Sequence, residues 1–143
     1  MKISNFGREY PGIKFPEFRT LSAIDAKKIV TVFTNKLGLG NISPLELVNV
    51  LRANSRRLSK EDAEDESFEL DQVLLRNGIF PKENVFINWY RYDQIDEIAL
   101  KDLSSHFDDI WYAGVDDLDI SDESFSWIVS IGYSGEVLIT HLN

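Results

Sequence analysis

Cysteine is absent from this 143-residue chain. That excludes a thiol nucleophile, a disulfide framework and a thiolate zinc site. Long apolar runs are also missing, and no window approaches the roughly 20 residues of a membrane-spanning helix. The opening residues, MKISNFGREYPG, lack the apolar stretch of a signal peptide. Together these absences point to a cytoplasmic protein. Histidine occurs only as His106 and His141, too few for a triad. His106 with Asp109 falls well short of a metal site. Gly38-Leu39-Gly40 lacks the continuation of a phosphate loop. The sequence therefore predicts no catalytic residue, no metal and no cofactor.

Positive charge is scarce in one half. Residues 1–60 carry net +7 and residues 61–143 carry net −16, giving −9 for the chain. An acidic half of this strength repels phosphates and disfavours a nucleic-acid partner. Arg52, Arg56 and Arg57 form a small basic face, read as a counterweight to that half.

What is present is enough apolar residue, 43% with nine Phe and three Trp, to build one core. The length predicts a single domain, 1–143. Residues 1–20 read as an extended arm, because Gly7, Pro11, Gly12 and Pro16 interrupt its aromatics. Residues 21–78 read as a helical half. Ser22 caps a helix to about Leu37, closed by Gly38. Ser43-Pro44-Leu45-Glu46 opens a second helix running to about Leu58. A third, short helix ends at Asn77-Gly78, after the acidic connector 59–67.

Residues 84–143 read as a sheet-containing half. Val85–Tyr92 is predicted as a strand, and 94–107 as a helix capped by Asp93. A short strand is expected near 117–120. Residues 125–133 and 136–142 form a final hairpin across a two-residue Ser134-Gly135 turn. This register sets Ile131 opposite Leu138, Val129 opposite Thr140 and Trp127 opposite Leu142. The predicted fold class is α+β, with N-terminal helices packed on one face of a small C-terminal antiparallel sheet.

The acidic segment between helix and hairpin is the candidate site. Asp116, Asp117, Asp119, Asp122 and Glu123 resemble a calcium loop only in composition: Asp122 stands where the loop needs glycine, and Ile128 where it needs glutamate. With Asp108 and Asp109 they form a run of carboxylates without Lys or Arg. Trp111 and Tyr112 adjoin it as candidate partner-binding anchors.

The stretch HFDDIWYAGVDDLDISDESFSWIVSIGYSGEV, residues 106–137, resembles a group of small acidic bacterial proteins. In these a D-D-I-W-Y-x-x-x-D-D segment precedes S-x-x-W-I and a hairpin. The matching residues are Asp108, Asp109, Trp111, Tyr112, Asp116, Asp117, Trp127 and Ile128. Such proteins look like immunity proteins of polymorphic or contact-dependent toxin systems. The resemblance implies a cytoplasmic, non-catalytic protein that binds and neutralises a cognate toxin, a basic nuclease being the natural target of an acidic inhibitor. A hydrolase using the acidic loop and an acidic adaptor without a toxin partner are the alternatives.

Overall fold

The computed structural model describes residues 1–142. In chain order its elements are α1 (Ile3–Glu9), β1 (Phe18–Thr20), α2 (Ala23–Lys36), α3 (Pro44–Ala53), β2 (Arg56–Asp62), α4 (Leu70–Arg76) and β3 (Asn84–Asn88). There follow β4 (Ile95–Ala99), α5 (Leu100–Ser105), α6 (Phe107–Ile110), β5 (Leu118–Ser121), β6 (Trp127–Ile131) and β7 (Glu136–His141). The strands make one antiparallel sheet in the order β1-β4-β3-β5-β6-β7-β2. Among the described residues no helix is long and apolar enough to cross a membrane.

The period-2 geometry of strands explains the layering. In β6, Trp127, Val129 and Ile131 join a core with Leu70, Leu74, Leu103 and Ile110 of α4, α5 and α6. Ile128, between them, joins a second core with Ala26, Ile29 and Phe33 of α2 and Leu47, Val48 and Leu51 of α3. Every residue of β5 and β6 is buried, as expected of strands covered on both faces. Of the four helices read from the sequence, the first two begin where expected, as α2 and α3. Ser22 and Ser43 cap α2 and α3, accepting from Asp25 N at 3.1 Å and Glu46 N at 3.2 Å. Gly38, at φ +67°, closes α2.

Mixed helix and sheet is thus the architecture, but several finer expectations are corrected. Helices cover both faces of the sheet, and the sheet is neither small nor confined to the C-terminal half, since β1 and β2 belong to it. The arm 1–20 contains α1 and β1, with Phe6 buried and in edge contact with Phe15 at 5.1 Å. Helix α3 stops at Ala53 rather than near Leu58. There Asn54 Nδ2 donates back to Val50 O at 2.8 Å and Ser55 Oγ to Arg52 O at 2.6 Å, competing with the helical ladder.

The helix expected over 94–107 begins as strand β4. Its five pairs with β3, from Asn84↔Ala99 to Asn88↔Ile95, outweigh a helical spacing of apolar residues that a strand buried on both faces also satisfies. The final hairpin is slipped by one residue from the predicted register. Ile131 faces Val137, Val129 faces Ile139 and Trp127 faces His141. The loop has three residues, closed by Gly132 N donating to Glu136 O at 3.0 Å and Gly135 N to Gly132 O at 2.9 Å. Gly135 sits at φ +91°, the left-handed position of a three-residue hairpin loop.

Candidate functional site: the loop end of the sheet

Strand pairing brings distant loops to one end of the sheet. Asn88 pairs with Asp119, Leu118 with Ile131, and Asp62 with Glu136. Loops 89–94, 111–117, 132–135 and 63–67 therefore emerge side by side. They are also tied together. Gly114 N donates to Tyr133 O at 2.7 Å, Tyr133 N to Asp117 Oδ1 at 2.8 Å, and Ala63 N to Gly135 O at 2.9 Å. Lys2 reaches in from the N-terminal segment. Its ammonium is 3.0 Å from Asp116 Oδ2 and lies over the rings of Trp89 at 4.9 Å and Tyr112 at 5.0 Å.

This end presents apolar and acidic groups together. Val115 is 71% exposed and Tyr133 56%. Glu64, Asp65, Glu66 and Asp108 are exposed at the same end. Glu64, Asp108, Trp111, Tyr112 and Ala113 line a shallow groove of about 330 Å3. Backbone and side-chain hydrogen bonds from Ser67 hold the Asp65 carboxyl below its usual range.

The sequence-predicted site residues divide into groups with different duties. Asp108 is exposed on this surface, and Tyr112 is half-buried at its edge. Asp116 and Asp117 are half-buried and fold the loop: Asp116 Oδ2 accepts from Tyr112 N at 2.8 Å, and Asp117 holds Tyr133 N. Asp109 turns toward α1, lying 3.9 Å from His106 Nδ1. Its charge, followed by that of Glu9, raises the Tyr10 phenol above its usual value.

Trp111, read as an exposed anchor, is instead 4% exposed. It stacks on Phe107 at 5.7 Å and donates Nε1–H to Asp116 O at 3.0 Å. Asp122 and Glu123 follow β5 and lie at the opposite end of the sheet. Asp122 is buried there, accepting from Lys82 N and Ser124 N at 2.9 Å each. The nine residues do not form one surface.

Asp119 is the interior member of the set, 3% exposed and on the α3 side of the sheet. Arg52 Nη2 donates to its Oδ1 at 3.3 Å, and Asn88 Nδ2 to its Oδ2 at 3.2 Å. Burial raises the Asp119 carboxyl above its usual value, against the opposing pull of Arg52, Ser130 and Asn88. The network holds the β3–β4 loop, where Tyr90 and Tyr92 adopt φ of 85° and 59° without glycine. Asn88 Oδ1 accepts from Tyr92 N at 2.7 Å. The Arg52 guanidinium lies 6.0 Å from the Tyr90 ring. On the loop's other side Trp89 Nε1 donates to buried Asp96 at 2.9 Å. These groups are consumed in shaping the loop.

Sequence reasoning missed the exposure of Val115, Tyr133 and Glu64 at this end. The one available signal was the Ser134-Gly135 turn, which marks Tyr133 as a loop-tip residue. Among the described residues no three His, Asp or Glu side chains are placed to hold a metal ion. Compared with known proteins, the chain matches no family model, no curated protein and no solved structure.

Proposed function

We propose that this chain is an immunity-type protein that neutralises a basic toxin domain by binding it with the loop end of the sheet. It would act in the cytoplasm, where such a toxin meets its target. The observation that carries the reading is that Val115 and Tyr133 are exposed at the same end of the sheet as Glu64, Asp65, Glu66 and Asp108, on loops tied to a doubly covered sheet. Interfaces of this composition use apolar and aromatic anchors for residence time and charged rims for approach. A net charge of −9 steers a basic partner and repels nucleic acid, so the protein competes for the partner's phosphate-binding face.

The test begins with capture. Tagged protein, co-expressed with the gene adjacent to its own, should co-purify with a basic protein whose toxicity it suppresses. The variant Glu64→Gln/Asp65→Asn/Asp108→Asn should then lower the association rate by about tenfold at low salt, with the difference shrinking as salt rises. Tyr133→Ala should chiefly speed dissociation. Wild-type kinetics in both variants would assign the loop end to solvation alone.

A further inference from the structure

Lys2 ends in a site that is built without it. Its ammonium bridges the Asp116 carboxylate, 3.1 Å from Oδ1 and 3.0 Å from Oδ2, and lies over the rings of Trp89 and Tyr112. Two aromatic faces and a carboxylate make a cage for a cation, because the ring quadrupoles and the negative charge all attract an ammonium. The Lys2 side chain is 20% exposed and that of Asp116 10%. Solvent reaches the ammonium, while the carboxylate is shielded enough to hold it firmly.

Each wall of the cage is held by bonds in which Lys2 takes no part. Trp89 Nε1 donates to Asp96 Oδ2 at 2.9 Å, which fixes the indole. Tyr112 N donates to Asp116 Oδ2 at 2.8 Å, and Asp116 N donates back to Tyr112 O at 3.1 Å. Trp111 Nε1 donates to Asp116 O at 3.0 Å from the core side. Lys2 contributes one flexible side chain, and among the described residues its ammonium pairs with no other carboxylate. The walls are thus preorganised, and the occupant is the loose part.

We infer that Trp89, Tyr112 and Asp116 form a recognition site for a primary ammonium, filled by Lys2 as a stand-in while the chain is free and taken over by a lysine of a basic partner on binding. The source of that ammonium rests on the toxin-binding reading; the cage itself does not. Lys2 leaves by rotation about its own four-carbon stem, so exchange needs no movement of α1. Tethering makes the exchange selective. A side chain carried beside its site has an effective concentration of about millimolar. A lone small cation competes poorly with it, whereas a lysine on a surface already docked against Val115 and Tyr133 is tethered too.

Titration of the full chain with n-butylammonium, which reproduces the lysine stem and head, tests the cage without any toxin. The readout is the nuclear magnetic resonance of the Trp89 indole N–H and the Tyr112 amide, with sodium at equal ionic strength as the control. In Lys2→Ala both signals should shift saturably. The midpoint should lie about tenfold or more below that of wild type, as when Lys2 leaves the cage free about a tenth of the time. Lys2→Gln, which keeps the length and loses the charge, should behave like Lys2→Ala, and Lys2→Ala/Tyr112→Leu should lose the response. Equal midpoints in wild type and the Lys2 variants overturn the proposal, as does the lack of a saturable shift in Lys2→Ala. So does a response that sodium matches or that survives Tyr112→Leu. Loss of the folded Trp89 and Tyr112 signals in Lys2→Gln also overturns it, since the walls would then depend on their occupant. Butylammonium binding as expected, with no basic protein captured, supports the cage and tells against the toxin reading alone; a captured toxin with no butylammonium response does the reverse.

Discussion

Replacing Arg52 by methionine removes the guanidinium that faces the buried Asp119 carboxylate while keeping a long side chain in its place. In the wild type the carboxylate has that cation at 3.3 Å and the Asn88 amide at 3.2 Å. Without Arg52 it is a buried charge with only the neutral donors Asn88 and Ser130 in reach. Breaking a buried pair from one side costs about 3–5 kcal/mol. The Arg52 side chain is 25% exposed, which places the expected loss near the lower end, about 3 kcal/mol.

The loss must depend on pH in a definite direction. Burial already raises the folded-state pKa of Asp119 above the ordinary 3.8, and losing Arg52 raises it further. A carboxyl with a raised folded pKa is most favourable to the fold below its unfolded pKa, and that contribution is lost as pH rises through the folded value. The penalty should therefore be full at pH 7 and shrink toward pH 4, where the protonated carboxyl needs no counter-charge. Urea unfolding followed by circular dichroism at the two pH values measures it. The double variant Arg52→Met/Asp119→Asn should lose less than the sum of the single losses, with a coupling of about 1–3 kcal/mol. A loss below about 1 kcal/mol at pH 7 is what an exposed pair gives. That result, or a loss equal at both pH values, would refute the account of this network.

Two further substitutions probe the layers around it. Trp127→Ala, at a residue 4% exposed in the core under α4–α6, should lower stability by about 3–5 kcal/mol; an unchanged melting temperature would show that the indole is not a core contact. Ser43→Ala should cost about 1 kcal/mol by removing the acceptor for Glu46 N, while Ser43→Gly should cost only a few tenths. Equal losses in thermal unfolding would mean that the cap is not the cause.

The helices were readable where local signals were complete. Ser22 and Ser43 with their downstream acidic residues, and Gly38 and Gly78 past the helix ends, carry their structure in a few adjacent residues. The strands were readable only where apolar alternation was strong, as at 127–131. Strand β2 offers a single buried apolar residue within its span, Leu58, and its partner lies in the C-terminal hairpin, so nothing local marks it. Strand β4 was hidden because Ile95 and Ile98 serve opposite cores, a spacing shared with one face of a helix. The hairpin slip turned on one glycine. Ser134-Gly135 reads equally as a two-residue turn or as the end of a three-residue loop, and only packing on both faces decides between them. For the site, the carboxylates were visible but their duties were not. Asp119 and Asp122 look the same in sequence as Asp108, yet strand pairing turns two of them inward.

The position of β2 has a consequence for the order in which the chain acquires its structure. Strands β3 and β4 are joined by a short loop, and β5, β6 and β7 follow one another as a meander, so each can pair soon after it is synthesised. Strand β2 must wait. Its ladder joins Arg56 to Ile139 and Asp62 to Glu136, and closing so long an intervening segment is entropically slow. Until β7 exists, β2 has no strand to pair with. The sheet therefore grows from its middle toward that edge, and the strand that is among the first made is the last to be incorporated.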